Sequence, residues 1–171
     1  MKRTVNPFEY AGAICEAMKQ GILLTTREGD FVNTMTIGWG TLGIEWGKPV
    51  FVAYVRESRH TRSMLDATGE FTVNIPLANP DKNVLRVCGT RSGRDLDKIR
   101  ELGLNLEAGE KIQVPGILEF PLTLECRVLF WNVQDESRLD SSIRDRYYTS
   151  GNTGDYHIAY YGEIVNAYIA E

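Results

Sequence analysis

The chain has 171 residues, 43% of them hydrophobic and 25% charged, the composition of an ordinary globular protein rather than a disordered, collagenous or repeat-biased one. Its 19 Lys and Arg against 23 Asp and Glu leave a net charge of -4, which disfavours nucleic acid and anionic membrane as partners because both reward a basic face. Cys15, Cys88 and Cys126 are far apart and odd in number, and neither His60 nor His157 stands at metal-ligand spacing from them, so no disulfide framework and no metal site is expected. Met1 to Pro7 carries charge with no apolar stretch behind it. The longest strongly apolar run, Val50 to Val55, is far too short to cross a bilayer. The expectation is one domain, residues 1–171, in a reducing cytoplasm.

The first element reads as a helix. Asn6 can cap it, Pro7 suits its first position, and Glu9 completes a capping-box-like start. Ala11, Ile14, Cys15 and Met18 fall on one face, and Lys19 and Gly21 mark the stop. Ile22 to Thr26 then predicts a strand, Arg27 to Asp30 a turn, and Phe31 to Trp39 a second strand. Phe31, Asn33, Met35, Ile37 and Trp39 share one face of it, with Asn33 as the polar intruder.

Pro49 to Arg56 predicts another strand, and Ser58 caps a short helix carrying Met64 and Leu65 and ending at Gly69. Phe71, Val73 and Ile75 alternate in a strand that stops at Pro76. Asn79-Pro80 opens a helix with Val84, Leu85 and Cys88, closed by Gly89. Ser92 to Asp95 reads as a capping box for a helix through Ile99 and Leu102 to Gly103. Leu122, Leu124, Cys126, Val128 and Phe130 alternate along one strand, Gly151 to Gly154 is a loop tip, and His157 to Ile169 is the last strand. The fold class is mainly β with short helices, which favours a closed barrel with helical excursions over regular βαβ alternation.

Gly38-Trp39-Gly40-Thr41-Leu42-Gly43 fits the dinucleotide pattern G-x-G-x-x-G. The pattern needs a helix to start there, so that free N–H groups face a pyrophosphate. Gly47 and Pro49 stand where that helix would run, so the glycines serve a turn or a close backbone approach instead.

Two segments carry chemistry. In Arg56-Glu57-Ser58-Arg59-His60-Thr61, a strand gives way to a helix. Backbone N–H groups, two guanidinium groups and two hydroxyls could converge there on one phosphate. Asn33-Thr34-Met35-Thr36 offers small polar groups beside apolar ones, which suits a flat heteroaromatic ring packed on Met35 and Trp39. Taken alone, the first also reads as a solvated helix start and the second as the polar face of an edge strand.

Their order and company carry more. Asn33 to Trp39, Lys48-Pro49-Val50, Arg56 with Ser58, Arg59 and Thr61, and Gly69 to Pro76 together resemble the flavin reductase-like, flavoredoxin-type family. Cys88 to Lys98 is similar to that family's next block, and the likeness runs from about residue 15 to 165. The resemblance implies an FMN-binding split β-barrel, a homodimer with flavin near the subunit interface. It further implies FMN as cofactor and NAD(P)H as co-substrate. By position, Asn33, Thr34, Met35, Thr36 and Trp39 would line the ring and ribityl chain. Arg56, Ser58, Arg59 and Thr61 would hold the phosphate, and Lys98 would approach from the later helix.

His157 to Ile164 resembles a His-x-x-x-x-Gly-x-aliphatic segment of flavin reductases, which implies a catalytic place for His157 near nicotinamide or flavin. In the family an aspartate directly precedes this histidine; here Tyr156 separates Asp155 from His157. A strand-packing histidine is the plainer alternative. Cys88, sharing a face with Val84 and Leu85, reads as buried, and Tyr147-Tyr148 and Tyr160-Tyr161 as packing. The expected activity is passage of hydride from NAD(P)H through flavin. The alternative is a non-enzymatic FMN electron carrier fed by a partner protein.

Overall fold

Seven stretches of alternating apolar residues build one antiparallel sheet, and the computed structural model describes them within residues 1–149 and 154–171. The first half of the chain contains β1 (Lys2–Thr4), α1 (Ala11–Gln20), β2 (Ile22–Glu28), β3 (Phe31–Ile37), β4 (Gly40–Glu45), β5 (Lys48–Arg56), α2 (His60–Thr68) and β6 (Glu70–Ile75). The second half contains α3 (Lys82–Thr90), α4 (Lys98–Leu102), β7 (Leu106–Glu107), β8 (Gly116–Ile117), β9 (Leu122–Val133), α5 (Ser141–Tyr147) and β10 (His157–Ala170).

The sheet order is β3-β2-β6-β9-β10-β5-β4, with β1 added to β10. β3 and β4 are consecutive in the chain yet stand at opposite ends of the sheet and share no ladder. Only Gly38 and Trp39 separate them. Three Cα steps span at most about 11 Å, so the sheet must curl until its two ends nearly meet. The result is a barrel split along one seam, and the closed barrel expected from the strand pattern is corrected in that respect.

The inner faces carry the main core: Phe51, Ala53 and Val55 from β5, Phe71, Val73 and Ile75 from β6, Leu122, Leu124 and Cys126 from β9, and Ile158 and Tyr160 from β10. On the outer face of β2, β6 and β9, a second cluster of Leu23, Val84, Cys88, Leu104, Ile117 and Phe120 holds α3 and the chain from Leu104 to Phe120. The outer face of β4, β5, β10 and β9 is less covered: Trp46 and Phe130 are 56% and 47% exposed and both lie near the Tyr161 ring.

Several local readings shift. Asn6 caps a 3-10 turn over Pro7–Tyr10, not α1 itself, and Cys15 is exposed while Ile14 and Met18 face the core. Arg59, not Ser58, occupies the cap position of α2, because Ser58 turns its hydroxyl to Asp155. α3 starts at Lys82 with the Asp81 carboxylate as cap, so the Asn79-Pro80 start and the Gly89 end are each displaced. Ser92 to Asp95 makes a turn, and the helix begins only at Lys98 under an Asp97 cap. Gly151 to Thr ahead of Gly154 lies outside the described residues; Gly154 itself has φ +75°.

The apparent dinucleotide motif runs into β4 rather than a helix. Its glycines are not equivalent. A Cβ on Gly40 would lie 2.6 Å from Phe51 Cζ and 3.0 Å from Met18 Sδ, whereas one on Gly43 would meet nothing within 4 Å. Gly40→Ala is therefore expected to overpack the core and cost about 1–3 kcal/mol, and Gly43→Ala to stay within about 0.5 kcal/mol of the parent. Urea denaturation midpoints of the two variants check this; equal midpoints would remove the close approach at Gly40.

Candidate functional site

The seam opens onto two adjoining cavities. The larger, about 190 Å³, is lined from one side by Met35 to Trp39 at the end of β3 and its link, and from the other by Tyr54 and Arg56 of β5, Arg59, and His157 of β10. The smaller, about 140 Å³, lies between Asn33 and Met35 of β3, the start of α2, and the turn from Arg91 to Arg94 with Lys98. Met35 and Arg59 line both. The two segments that the sequence singled out thus meet at one place.

The smaller cavity is cationic. Arg59, Arg91, Arg94 and Lys98 line it, and no carboxylate does. Lys98 is 3% exposed, and burial, followed by the neighbouring Arg59 charge, disfavours its protonated form, with Cys88 acting the other way. Its ammonium donates to the Arg91 carbonyl at 3.4 Å. Burial pushes the Cys88 thiol up to about 11, against the pull of Lys98, which makes it an inert core thiol. His60 is held below its ordinary value by burial and then by Arg94 and Lys98.

Asn33 is buried here. Its amide donates to Thr61 Oγ1 at 3.0 Å, while its Oδ1 has no hydrogen-bond partner among the described residues. Gly93 passes so close that a Cβ there would lie 2.2 Å from this oxygen and 3.0 Å from the His60 ring.

The other expected site residues divide. Thr36 lines the larger cavity, with its hydroxyl donating to the Leu85 carbonyl at 2.7 Å. Thr34 lines neither cavity. It is fully buried, and its hydroxyl accepts from Thr25 Oγ1 and donates to the Leu24 carbonyl. Arg56 stands in the larger cavity, apart from the cationic one, and its guanidinium donates to the carbonyls of Asp155 and Tyr147 at 2.7 and 3.1 Å. The Asp155 carboxylate accepts from the Ser58 N–H and hydroxyl at 2.9 and 2.8 Å, so it fixes the turn into α2 and leaves His157 to other partners.

His157 is 6% exposed and packs its ring 4.8 Å from that of Trp39. Its Nδ1 lies 2.7 Å from the Tyr148 hydroxyl. Burial and then the Arg56 charge, opposed by Asp155, lower it to about 4.

Tyr54, Arg91, Ser92, Gly93 and Arg94 line the cavities without having been expected there. A glycine flanked by Arg91 and Arg94 just ahead of Lys98 was the available signal; its reading as a capping box concealed it.

Residues 17–171 match the model of the flavin reductase like domain. The chain belongs to that family. It is 34% identical over 97 residues to an uncharacterized protein of Archaeoglobus fulgidus, a match covering 57% of this chain and 54% of that relative. The chain thus spans about half the length of that relative. In fold it is similar to the flavoredoxin of Desulfovibrio vulgaris (Miyazaki F), with a TM-score of 0.66 and 21% identity over 88% of this chain and 69% of that one. It is also similar to an FMN-binding domain of a flavin reductases-like enzyme from Shewanella baltica OS155, with a TM-score of 0.64 and 14% identity over 99% and 77%. Among the described residues, no helix is long and apolar enough to cross a membrane.

The His157 environment has a consequence for stability. The folded ring titrates near 4 and a free histidine near 6.5, so between those values the unfolded chain binds more protons. The contribution is intact above pH 6.5 and is lost as pH falls towards 4, by about 2 kcal/mol after allowance for solvent screening. Urea denaturation at pH 7 and pH 4.5 is expected to show a smaller loss in His157→Gln than in the parent; equal losses would place the acid sensitivity elsewhere.

Proposed function

We propose that this chain binds FMN across the two cavities, phosphate in the smaller and ring in the larger, and passes reducing equivalents from NAD(P)H. The observation that carries the reading is the shared wall: Met35 and Arg59 bound both a cationic cavity and one walled by Trp39 and Tyr54.

The donor set fits a phosphate. Charge-assisted bonds, above all from arginine forks, are what a dianion requires. Arg59, Arg91, Arg94 and Lys98 supply them with no competing carboxylate on the lining. Thr61 can add its hydroxyl proton, since its oxygen accepts from Asn33 and its O–H is not spent there; the Ser58 proton is already given to Asp155. Gly93 closes over the unpartnered Asn33 Oδ1, and its lack of a side chain keeps the wall thin at that point. In the larger cavity Met35 and Trp39 offer apolar contact, and His157 stays uncharged at neutral pH.

When bound, the flavin supplies the redox chemistry, taking hydride from a dihydronicotinamide and passing electrons to an acceptor. The chain's part is to anchor the charged tail, position the ring and exclude water. No side-chain nucleophile is needed.

The reading includes a homodimer. The incompletely covered outer face runs from Tyr54, which lines the larger cavity, through Tyr161 to Trp46 and Phe130. Covering it with a second copy would bury these aromatics beside the site. Trp46→Glu is expected to sediment as a monomer; a parent protein that is itself monomeric would remove the dimer.

Purified protein is expected to bind FMN in a fluorescence titration, and Arg59→Ala to raise the Kd by about tenfold or more with the fold intact by circular dichroism. Unchanged affinity would take Arg59 out of the site, and no binding by the parent would end the flavin reading. With NADH or NADPH and free FMN, steady nucleotide consumption is expected. Binding without consumption would favour an electron carrier fed by a partner protein.

A further inference from the structure

Gln134, just past β9, and Tyr148, just past α5, form with His157 a chain of hydrogen bonds whose directions determine one another. The His157 backbone N–H lies 3.3 Å from Gln134 Oε1, and the Gln134 N–H donates to the His157 carbonyl at 3.0 Å. A backbone N–H can only donate, so the side-chain atom facing it must be the amide oxygen. That contact sets the orientation of the Gln134 amide.

The Tyr148 hydroxyl lies 2.7 Å from the same oxygen. An amide oxygen accepts only, so the single phenolic proton points at Gln134. The reverse assignment would hold two oxygen lone pairs 2.7 Å apart with no proton between them. The Tyr148 oxygen is also 2.7 Å from His157 Nδ1. With its proton already committed, it can only accept there, and Nδ1 must carry the hydrogen.

The tyrosine ring is itself held. It is 2% exposed, stacks on Tyr156 at 4.9 Å between centroids and lies under the Arg56 guanidinium at 5.1 Å. Among the described residues no hydrogen bond is made to His157 Nε2, and the ring lines the larger cavity.

We propose that Gln134 and Tyr148 are positioning residues that lock His157 in its Nδ1–H tautomer and present Nε2 to the larger cavity as a neutral acceptor for an N–H donor of the bound ligand. The tautomer stands on the geometry alone; the ligand's N–H rests on the flavin and nicotinamide reading above. A neutral acceptor discriminates in a way a charged one does not. It rewards an amide or imide N–H and rejects a carbonyl presented in its place, because two facing acceptors would both be left unpaired.

Long-range proton–nitrogen correlation spectra of protein labelled with nitrogen-15 at histidine, recorded at pH 8, read the tautomer directly, with His157→Asn assigning the signals. The parent is expected to show a protonated Nδ1 and a bare Nε2. Gln134→Leu removes the acceptor that orients Tyr148. Its hydroxyl then turns to Nδ1, and the tautomer is expected to invert. Gln134→Glu keeps an acceptor and is expected to retain the parent tautomer. Tyr148→Phe, a second route should Gln134→Leu fail to fold, is expected to leave a mixture of both forms. A parent with Nε2 protonated, or a Gln134→Leu or Tyr148→Phe spectrum identical to the parent, overturns the proposal. In turnover, kcat/KM for NAD(P)H is expected to fall about tenfold in Gln134→Leu and to recover in Gln134→Glu. The parent tautomer in a protein that binds no flavin would instead mark a failure of the functional reading alone.

Discussion

β3 and β4 follow one another through Gly38 and Trp39 without pairing, and each forms an end of the same curled sheet. A hairpin at this link would have closed the sheet edge on itself. The link instead bridges the seam, so the walls of the larger cavity come from strands far apart in sheet order. Met35 and Thr36 approach from the β3 end, and Tyr54, Arg56 and His157 from β5 and β10. The seam also explains how Trp39, 41% exposed in the link, can lean its indole on His157 across from its own strand.

The wall opposite the seam depends on a network of paired buried polar groups, beside which the Tyr168 hydroxyl is left without a partner among the described residues. Asn74 donates to Thr25 and Thr72 and accepts from the Ile117 N–H and Thr123. The Glu125 carboxylate, fully buried, accepts from the N–H groups of Glu110 and Lys111 at 2.6 and 2.8 Å. These bonds tie the irregular chain between Leu104 and Phe120 to the sheet, where a polar group left unpaired would cost about 1–3 kcal/mol. Thr34 is drawn into this network through Thr25, which is why it is absent from the cavity beside its own neighbours.

The charge pattern of the site is set by burial acting on clustered cations. A chain with net charge -4 concentrates four cationic side chains around one small cavity. Lys98 is disfavoured as an ammonium by burial and by Arg59, and His157 is kept neutral by burial and by Arg56. An anion in the smaller cavity would relieve the first of these strains directly. The larger cavity is lined by two guanidinium groups, of which Arg59 is shared with the smaller and Arg56 gives its donors to the carbonyls of Asp155 and Tyr147.

Strand positions were legible in the sequence because period-two alternation is local: Phe71, Val73 and Ile75, or Leu122, Leu124 and Cys126, declare their buried face within six residues. The polar intruder Asn33 and the cationic Arg59 were legible as residue types out of keeping with their neighbours, whereas Lys98 stood out only through the family resemblance. Helix starts were not, since Ser58, Asn79 and Ser92 are all competent caps and the choice fell to bonds made elsewhere, such as Ser58 to Asp155 across 97 residues of chain. The capture of the Arg56 guanidinium by the carbonyls of Tyr147 and Asp155, 91 and 99 residues away, was likewise decided only by the assembled fold. Periodicity and residue type travel with the chain, whereas the direction of a hydrogen bond and the side of a seam exist only once separate strands have met.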